Sequence, residues 1–380
     1  MSEIETIFQK KFNTPSQVTA SAPGRLEILG NHTDYNEGVV LSCAVDQRTT
    51  VAMAENHSNK AVLYDMRADS HAEFDLAKLQ NNITPRWANY PAGVVSELRA
   101  RNIAVSGFNA VINSTVPLSA GMSSSAAFET SVLFALDKLF KLNIGKEDAA
   151  RIGQGVENNF LGVNTGLLDQ FSSIFGVDDS FILSDFRSVK VLQTVKMPPL
   201  ASIMVVNSMQ KHNLVDSEYN TRRAACESAA AKLAARHPEI KTLRDVSVEL
   251  LEDEKNIFTA EEFKRAMHVA AECERVWKAV ELLNKGDVES FGRLWWDSHE
   301  SSMRNFENST PHLDKLVELS HVIPGALGAR LSGGGFGGIS IHLVKNEMLE
   351  SYQQTISEEY EKYCSLKPEI IVCRPAAGAK

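Results

Sequence analysis

Short runs of β-branched and aromatic residues alternate along the chain with longer segments whose apolar positions recur at helical spacing. The runs predict strands at Gln17–Ser21, Leu26–Leu29, Val39–Val45, Thr49–Ala54, Ala61–Asp65 and Phe108–Ile112, then at Phe181–Asp185 and Val189–Lys196. Between them a long helix is expected from about Ser125 to Phe140, with Ala127, Val132, Leu136 and Leu139 along its apolar face. Met197-Pro198-Pro199 breaks the strand pattern, because proline removes a ladder donor and restricts the residue before it. The domain boundary is placed there, dividing the chain into 1–197 and 198–380. Beyond it a strand at Ser202–Val206 precedes helical patterns over Glu218–Arg236, Glu261–Leu283 and Val288–Met303, and β-runs close the chain at Ile339–Val344 and Glu369–Cys373. The second half therefore predicts helices on a small antiparallel sheet, and the whole an α+β or α/β protein.

Length supports the division, since 380 residues exceed what one core usually serves. Hydrophobic residues at 43% and charged residues at 23% match a soluble globular chain, so a sizeable core is available. A net charge of -9 without a lysine or arginine stripe argues against a nucleic-acid surface, so any anion must be held by local devices. Five cysteines, odd in number and without a CxxC pair, indicate neither a disulfide framework nor a zinc site. The start, MSEIETIFQKKF, has no apolar run of signal-peptide length, and no stretch long enough to span a membrane occurs. A cytoplasmic protein with no membrane partner is expected.

Four segments carry candidate chemistry. In SAGMSSSAAFETSVLFAL (Ser119–Leu136), glycine and serines lead directly into the long helix, where unpaired first-turn amides attract phosphate. Ser124 and Ser125 could also reach a metal or a phosphate oxygen, and a plain serine-rich N-cap fits the pattern as well. RLSGGGFGGISIHLV (Arg330–Val344) contains G-x-G-x-x-G at Gly333, Gly335 and Gly338, but a β-pattern follows it, which is not the helix of a dinucleotide fold. Its glycines mark a close backbone approach, to a ligand or within a tight inter-domain turn. Neither a P-loop nor a protein-kinase signature is present. In ENNFLGVNTGLLDQFSSIFG (Glu157–Gly176), Asp169 stands in an apolar neighbourhood, where a carboxylate needs a positive partner unless it caps a helix. Glu157 either completes a magnesium site or is solvated. In GRLEILGNHTDYNEG (Gly24–Gly38), Arg25 and Glu27 project from one face of a strand and Leu26 and Ile28 from the other. The following Asn31-His32-Thr33-Asp34-Tyr35-Asn36 offers the mixed short donors and acceptors that a polyhydroxylated ligand needs, or forms an Asx-rich surface turn.

Taken together, APGRLEILGNHTDYNEG, PLSAGMSSSAA and LSGGGFGG resemble the ordered motifs of a galactokinase within the GHMP kinase superfamily. PRWANY at Pro85–Tyr90, GLLDQF at Gly166–Phe171, the run Asn207–Arg223 and the ending CRPAAGAK extend the resemblance over nearly the whole chain. It implies a two-lobed α+β fold, with an N-terminal mixed-sheet domain like ribosomal S5 domain 2 and a C-terminal ferredoxin-like domain. It further implies ATP- and Mg2+-dependent phosphorylation of the anomeric hydroxyl of α-D-galactose, with a small-molecule sugar as partner and a monomer as the expected state. By motif, Asp169 would be the base and Arg25 its neighbour toward the phosphoryl group. Asn31, His32, Asp34, Gly166 and Tyr219 would surround the sugar. Gly121, Ser123, Ser124 and Ser125 would hold the nucleotide phosphates, Ser125 and Glu157 the magnesium, and Trp87 and Tyr90 the adenine region. One departure concerns the sugar. Galactokinases usually read GEHTDY, with the glutamate at the C6 hydroxyl, where this chain has Asn31, while Glu27 stands where the family often has asparagine. A galacturonate kinase or another C6-variant hexose 1-kinase is the alternative this raises, unless acid and amide have exchanged places around the pocket. A non-catalytic sugar sensor is the alternative of another class, and the intact Ser123-Ser124-Ser125 run speaks against it.

Overall fold

The computed structural model of the protein describes residues 1–117, 121–210 and 215–380. Among them, two sheets organise the chain. The first is mixed and is built from β1 (Val18–Leu29), β2 (Val39–Glu55), β3 (Lys60–Asp65), β4 (Ser70–Asp75), β5 (Phe108–Ser114), β6 (Ser180–Asp185) and β7 (Lys190–Lys196). Among the described residues only β3 and β5 pair in parallel. The expected strand pairs on either side of Pro23-Gly24 and of Asp46–Arg48 are each one continuous strand. β1 and β2 run antiparallel along most of their length, with register shifts at Pro23/Arg25 and Glu27/Leu29. Gly24 permits this, because a Cβ there would lie 2.8 Å from the carbonyl oxygen of Met122.

Helix α1 (Glu3–Phe12) covers one face of this sheet through Ile4 and Phe8. On the other face lie α2 (Asn89–Ala100), α3 (Ser124–Phe140), α4 (Lys146–Gly155) and α5 (Leu168–Phe175). α3 is apolar around most of its circumference and is accordingly the enclosed helix, packed on β1 and β2.

The second half begins with β8 (Ala201–Asn207), directly after the diproline. Five helices follow: α6 (Val215–Ala234), α7 (Val248–Asp253), α8 (Ala260–Lys285), α9 (Val288–Ser301) and α10 (Pro311–Val322). The chain then forms β9 (Ala326–Leu331), β10 (Ile339–Lys345), α11 (Leu349–Cys364) and β11 (Glu369–Cys373). The sheet order β11-β8-β10-β9, antiparallel throughout, is the ferredoxin-like arrangement with extra helices inserted after its first strand. Helix boundaries follow local chemistry. Thr259 and Glu262 form a reciprocal capping box at the start of α8, and Gly286, at φ +75°, closes it.

The two sheets share a core. Leu26, Ile28 and Leu41 of the first half pack in one cluster with Ile203, Trp295, Ile339 and Ile341 of the second. The last residues return to the first sheet, where the backbone of Lys380 pairs with Ser21 in both directions. No helix of the described residues is long and apolar enough to cross a membrane.

Candidate active site

The register of β1 places Arg25 and Glu27 on the same side, facing a cavity of about 210 Å³ between the two halves. Its lining includes Arg25, Glu27, Asn31, His32, Asp34, Gly166, Asp169 and Tyr219, together with Gly333 and Gly334 of the glycine-rich turn. The structure thus gathers in one cavity every residue that the motifs assigned to sugar binding and proton transfer.

At one end, Asp169 sits in the first turn of α5 rather than capping it. Both the Nε and an Nη of Arg25 donate to its Oδ1 at 2.8 Å, and the Ser123 hydroxyl donates to its Oδ2. Arg25 Nη1 also donates to the carbonyl of Gly121 at 2.5 Å, which ties the guanidinium to the chain leading into α3. Ser123, the N-cap of α3, is in the left-handed region at φ +51° and makes no capping bond of its own, because its hydroxyl is turned toward Asp169. Ser124 opens the helix, and the first-turn N–H groups remain a donor-rich, positive end. Residues 118–120 of the serine-rich motif lie outside the described residues.

Beside this end, a π-helical turn, Val156–Leu161, continues α4 and carries Glu157 inward. Its Oε1 accepts from the Ser125 hydroxyl at 3.0 Å and its Oε2 from the Thr165 hydroxyl at 2.6 Å. Burial, and then the charge of Asp169, push the Glu157 carboxyl up. Glu129 on α3 is fully enclosed, one of its oxygens has no hydrogen-bond partner, and burial with the charge of Glu157 pushes it up strongly. A cation beside these carboxyls would offset the cost of ionising them where they are buried. Among the described residues no group of three or more acidic, histidine or cysteine side chains converges as a complete metal site. The Ser125 hydroxyl and the Glu157 carboxyl are oxygen donors of the kind a magnesium ion takes beside phosphate and water.

The rest of the cavity wall is formed by the Asn31–Asn36 turn and by residues far along the chain. Burial holds His32 down at about 3, so it is neutral. Its ring stacks on Phe306 at 4.2 Å and lies 5.3 Å from the ring of Tyr219. Burial, reinforced by the charges of Glu27 and Asp169, pushes Asp34 up to about 6. Gly166 abuts Asp34 so closely that a Cβ would fall 1.6 Å from Asp34 Oδ2. Glu272 of α8 accepts from the backbone N–H groups of Gly30 and Asn31, each at 2.9 Å. Although burial pulls the other way, Arg275, Arg330 and these donors hold its carboxyl down at about 2.

Trp87 and Tyr90 stand apart from the cavity lining, grouped with Phe128 of α3 at ring distances of 6.3 and 6.0 Å. Phe306, Asn308 and Arg330 are not among the residues the motifs assign, and Thr165 is marked by the sequence only as part of the turn Asn164-Thr165-Gly166; Arg330 shows as a charge inside the otherwise apolar ALGARL.

A mixed sheet and a ferredoxin-like sheet, with a serine-lined helix start and a glycine-rich turn meeting between them, define a GHMP-type kinase. The models of the GHMP kinase N-terminal and C-terminal domains match residues 89–177 and 279–361, and that of the galactokinase galactose-binding signature matches residues 6–55. A galactokinase from Mannheimia succiniciproducens is 38% identical over 378 residues, covering 98% of this chain and 97% of its own. The crystal structure of Lactococcus lactis galactokinase complexed with galactose superposes with a TM-score of 0.93 at 29% identity, covering 99% of this chain and 98% of that one. Methanococcus jannaschii mevalonate kinase, at 19% identity and a TM-score of 0.63 over 95% and 98% of the two chains, shares the fold alone. The chain belongs to the galactokinase family. It is thus a kinase of the type that takes its phosphoryl group from ATP.

Proposed function

We propose that the protein transfers the γ-phosphoryl group of ATP to the anomeric hydroxyl of α-D-galactose, giving galactose 1-phosphate and ADP. The observation that carries this reading is the Arg25–Asp169–Ser123 cluster, set between the start of α3 and a polar cavity of sugar-binding character. Asp169 accepts the hydroxyl proton as the sugar oxygen forms its bond to phosphorus and the bond from phosphorus to the ADP oxygen breaks. Phosphoryl transfer asks mainly for positioning and for positive charge around the transferring group. Arg25, held in place by Gly121 and Asp169, supplies one such charge, and the first-turn amides of α3 supply partial ones. Ser125 and Glu157 would hold magnesium, which neutralises phosphate charge when bound. Trp87 and Tyr90, beside Phe128, would flank the adenine.

His32, Asp34, Gly166 and Tyr219 would contact the sugar. The Asn31 departure does not leave this end of the cavity without an acid, because Glu27 lies in hydrogen-bond contact with Asn31 and lines the same space. Burial already pushes the Glu27 carboxyl up against the pull of Arg330, so a second carboxyl beside it would be costly, and this disfavours the galacturonate alternative. The reading places the protein in the cytoplasm, acting as a monomer. Its test is ADP release over a panel of hexoses and uronic acids, with galactose expected to give the highest kcat/KM. A higher value for galacturonate would overturn the substrate, and no release with any sugar would favour a sensor.

A further inference from the structure

The sugar end of the cavity is organised by buried hydrogen bonds that cross between the two halves of the molecule. Glu27 Oε1 accepts from Asn31 Nδ2 at 2.8 Å and from Arg330 Nη2 at 2.9 Å, and Arg330 is fully enclosed. Asn31 Nδ2 gives its second hydrogen to the carbonyl of Gly333 at 2.8 Å. Asn31 Oδ1 accepts from Asn308 Nδ2 at 3.0 Å and, more distantly, from the Ser302 hydroxyl at 3.5 Å.

A donor and acceptor inventory separates the two cavity-lining side chains. An asparagine amide has two hydrogens, and both of Asn31's are committed within the protein. Its oxygen is engaged as well, so it has nothing to offer a ligand without breaking the network. A carboxylate has about four acceptor sites. The two protein bonds to Glu27 both fall on Oε1, which leaves acceptor capacity at the cavity wall.

We propose that Glu27 is the side chain that reads a substrate hydroxyl at this end of the cavity, and that Asn31 and Asn308 are positioning residues that hold it there. The proposal rests on the sugar-kinase reading above and goes beyond it in assigning specificity to β1 and its positioning to a residue 277 positions from Asn31. The motif resemblance sets Asn31 against the sugar. Its saturated amide gives it the role of a brace between Glu27 and the glycine-rich turn. Asn308 is the anchor of that brace, buried after the π-helical turn Ser302–Phe306 that extends α9. Its own backbone carbonyl accepts from Phe336 N at 2.6 Å, so the same residue fixes the glycine-rich turn and the amide facing it.

The test compares wild type, Glu27→Gln and Asn308→Ala with galactose and its monodeoxy derivatives, by steady-state kinetics and by calorimetric sugar binding. For Glu27→Gln, galactose binding is expected to weaken on the order of tenfold to a hundredfold, as for loss of a hydrogen bond to a charged group. With one deoxy sugar, the one lacking the hydroxyl that Glu27 accepts from, the substitution should cost nothing further. Asn308→Ala, which also frees His32 Nε2, should raise the galactose KM with the same deoxy sugar the least affected, leaving kcat and the ATP KM within about twofold. A uniform loss across all the sugars, or a fall in kcat with no change in sugar KM, overturns the proposal. Should Glu27→Gln fail to fold because Arg330 loses its partner, Glu27→Asp keeps the charge and withdraws the carboxylate, and must show the same single-sugar pattern. Wild type that binds galactose without transferring phosphate would defeat the kinase reading alone, since the binding arm still decides the role of Glu27.

Discussion

Replacing Asp169 by asparagine isolates proton transfer from the architecture around it. The amide keeps the side chain's volume and an oxygen where Arg25 Nε and Nη2 donate at 2.8 Å. The Ser123 hydroxyl, which now donates to Oδ2, needs only to rotate and accept from the new amide. The pair is partly buried, with Asp169 25% and Arg25 6% exposed, and the amide keeps the hydrogen bonds, so loss of the ionic part should cost about 1.5 to 3 kcal/mol of stability. The catalytic cost is far larger. A positioned base contributes about a hundredfold to ten-thousandfold, which is about 2.7 to 5.4 kcal/mol at about 1.36 kcal/mol per tenfold. ADP release should therefore fall by at least about a hundredfold in kcat, while the galactose KM stays within about threefold and the melting temperature falls by several degrees without loss of the folded state. A folded Asp169→Asn protein that keeps kcat within tenfold of its parent would refute the assignment of Asp169 as the proton acceptor.

Asp34 should impose a pH dependence of its own. Its carboxyl rises from 3.8 to about 6, so the folded state binds the proton more tightly than the unfolded one. The resulting stability is fully present below about pH 4 and is lost as pH rises through about 6, amounting to at most about 3 kcal/mol at about 1.36 kcal/mol per pH unit. Melting curves across that window should show this component in wild type and not in Asp34→Asn. Gly166→Ala should raise the galactose KM without changing the ATP KM, because the added methyl must displace Asp34 from 1.6 Å; sugar and nucleotide titrations separate the two. Ser125→Ala removes the hydroxyl that Glu157 accepts from at 3.0 Å, and the Mg2+ concentration giving half-maximal rate should rise several-fold while sugar binding in the absence of nucleotide is unchanged.

Periodicity revealed α3, α6, α8, α9 and most strands, whose burial is one-sided or complete, but not α2, α10 or α11. The helix begun near Ser125 and the strands β3, β6, β8 and β10 lie within a residue or two of their expected bounds. Two strands escaped for physical reasons. In β4 only Ala72 and Phe74 are buried, so the run SHAEFD reads as polar. In β9, Gly328 and Arg330 interrupt the pattern. Gly328 is required by the approach of α9, since a Cβ would meet the carbonyl of Gly292 at 2.0 Å, and Arg330 is enclosed because Glu27 pairs with it. Helix α10 did carry readable signals, a Thr310 cap and Pro311 in the first turn, and α11 presents Tyr352, Ile356 and Tyr360 at helical spacing.

The candidate site was legible to a different degree at its two ends. Alternation along β1 was enough to bring Arg25 and Glu27 to one face, and an acid in an apolar setting was enough to demand a partner for Asp169. The density of polar groups in Asn31–Asn36 pointed to a ligand, yet the turn itself consumes most of them. The Thr33 hydroxyl shares its one hydrogen between the carbonyls of Gly30 and Val39, and the Asn36 amide donates to the carbonyl of His32. The Tyr35 hydroxyl is engaged with His32 Nδ1, and the Asn31 amide is saturated. Of the six, Asp34 is left with the exposure and acceptor capacity to meet a hydroxyl directly, with neutral His32 shared between the glycine-rich turn and the cavity. A polar-rich loop thus signals a site partly because holding one or two groups at a ligand takes several others to fix the backbone. Deciding which residues face outward requires the partners from positions 302–334, and no local pattern supplies them.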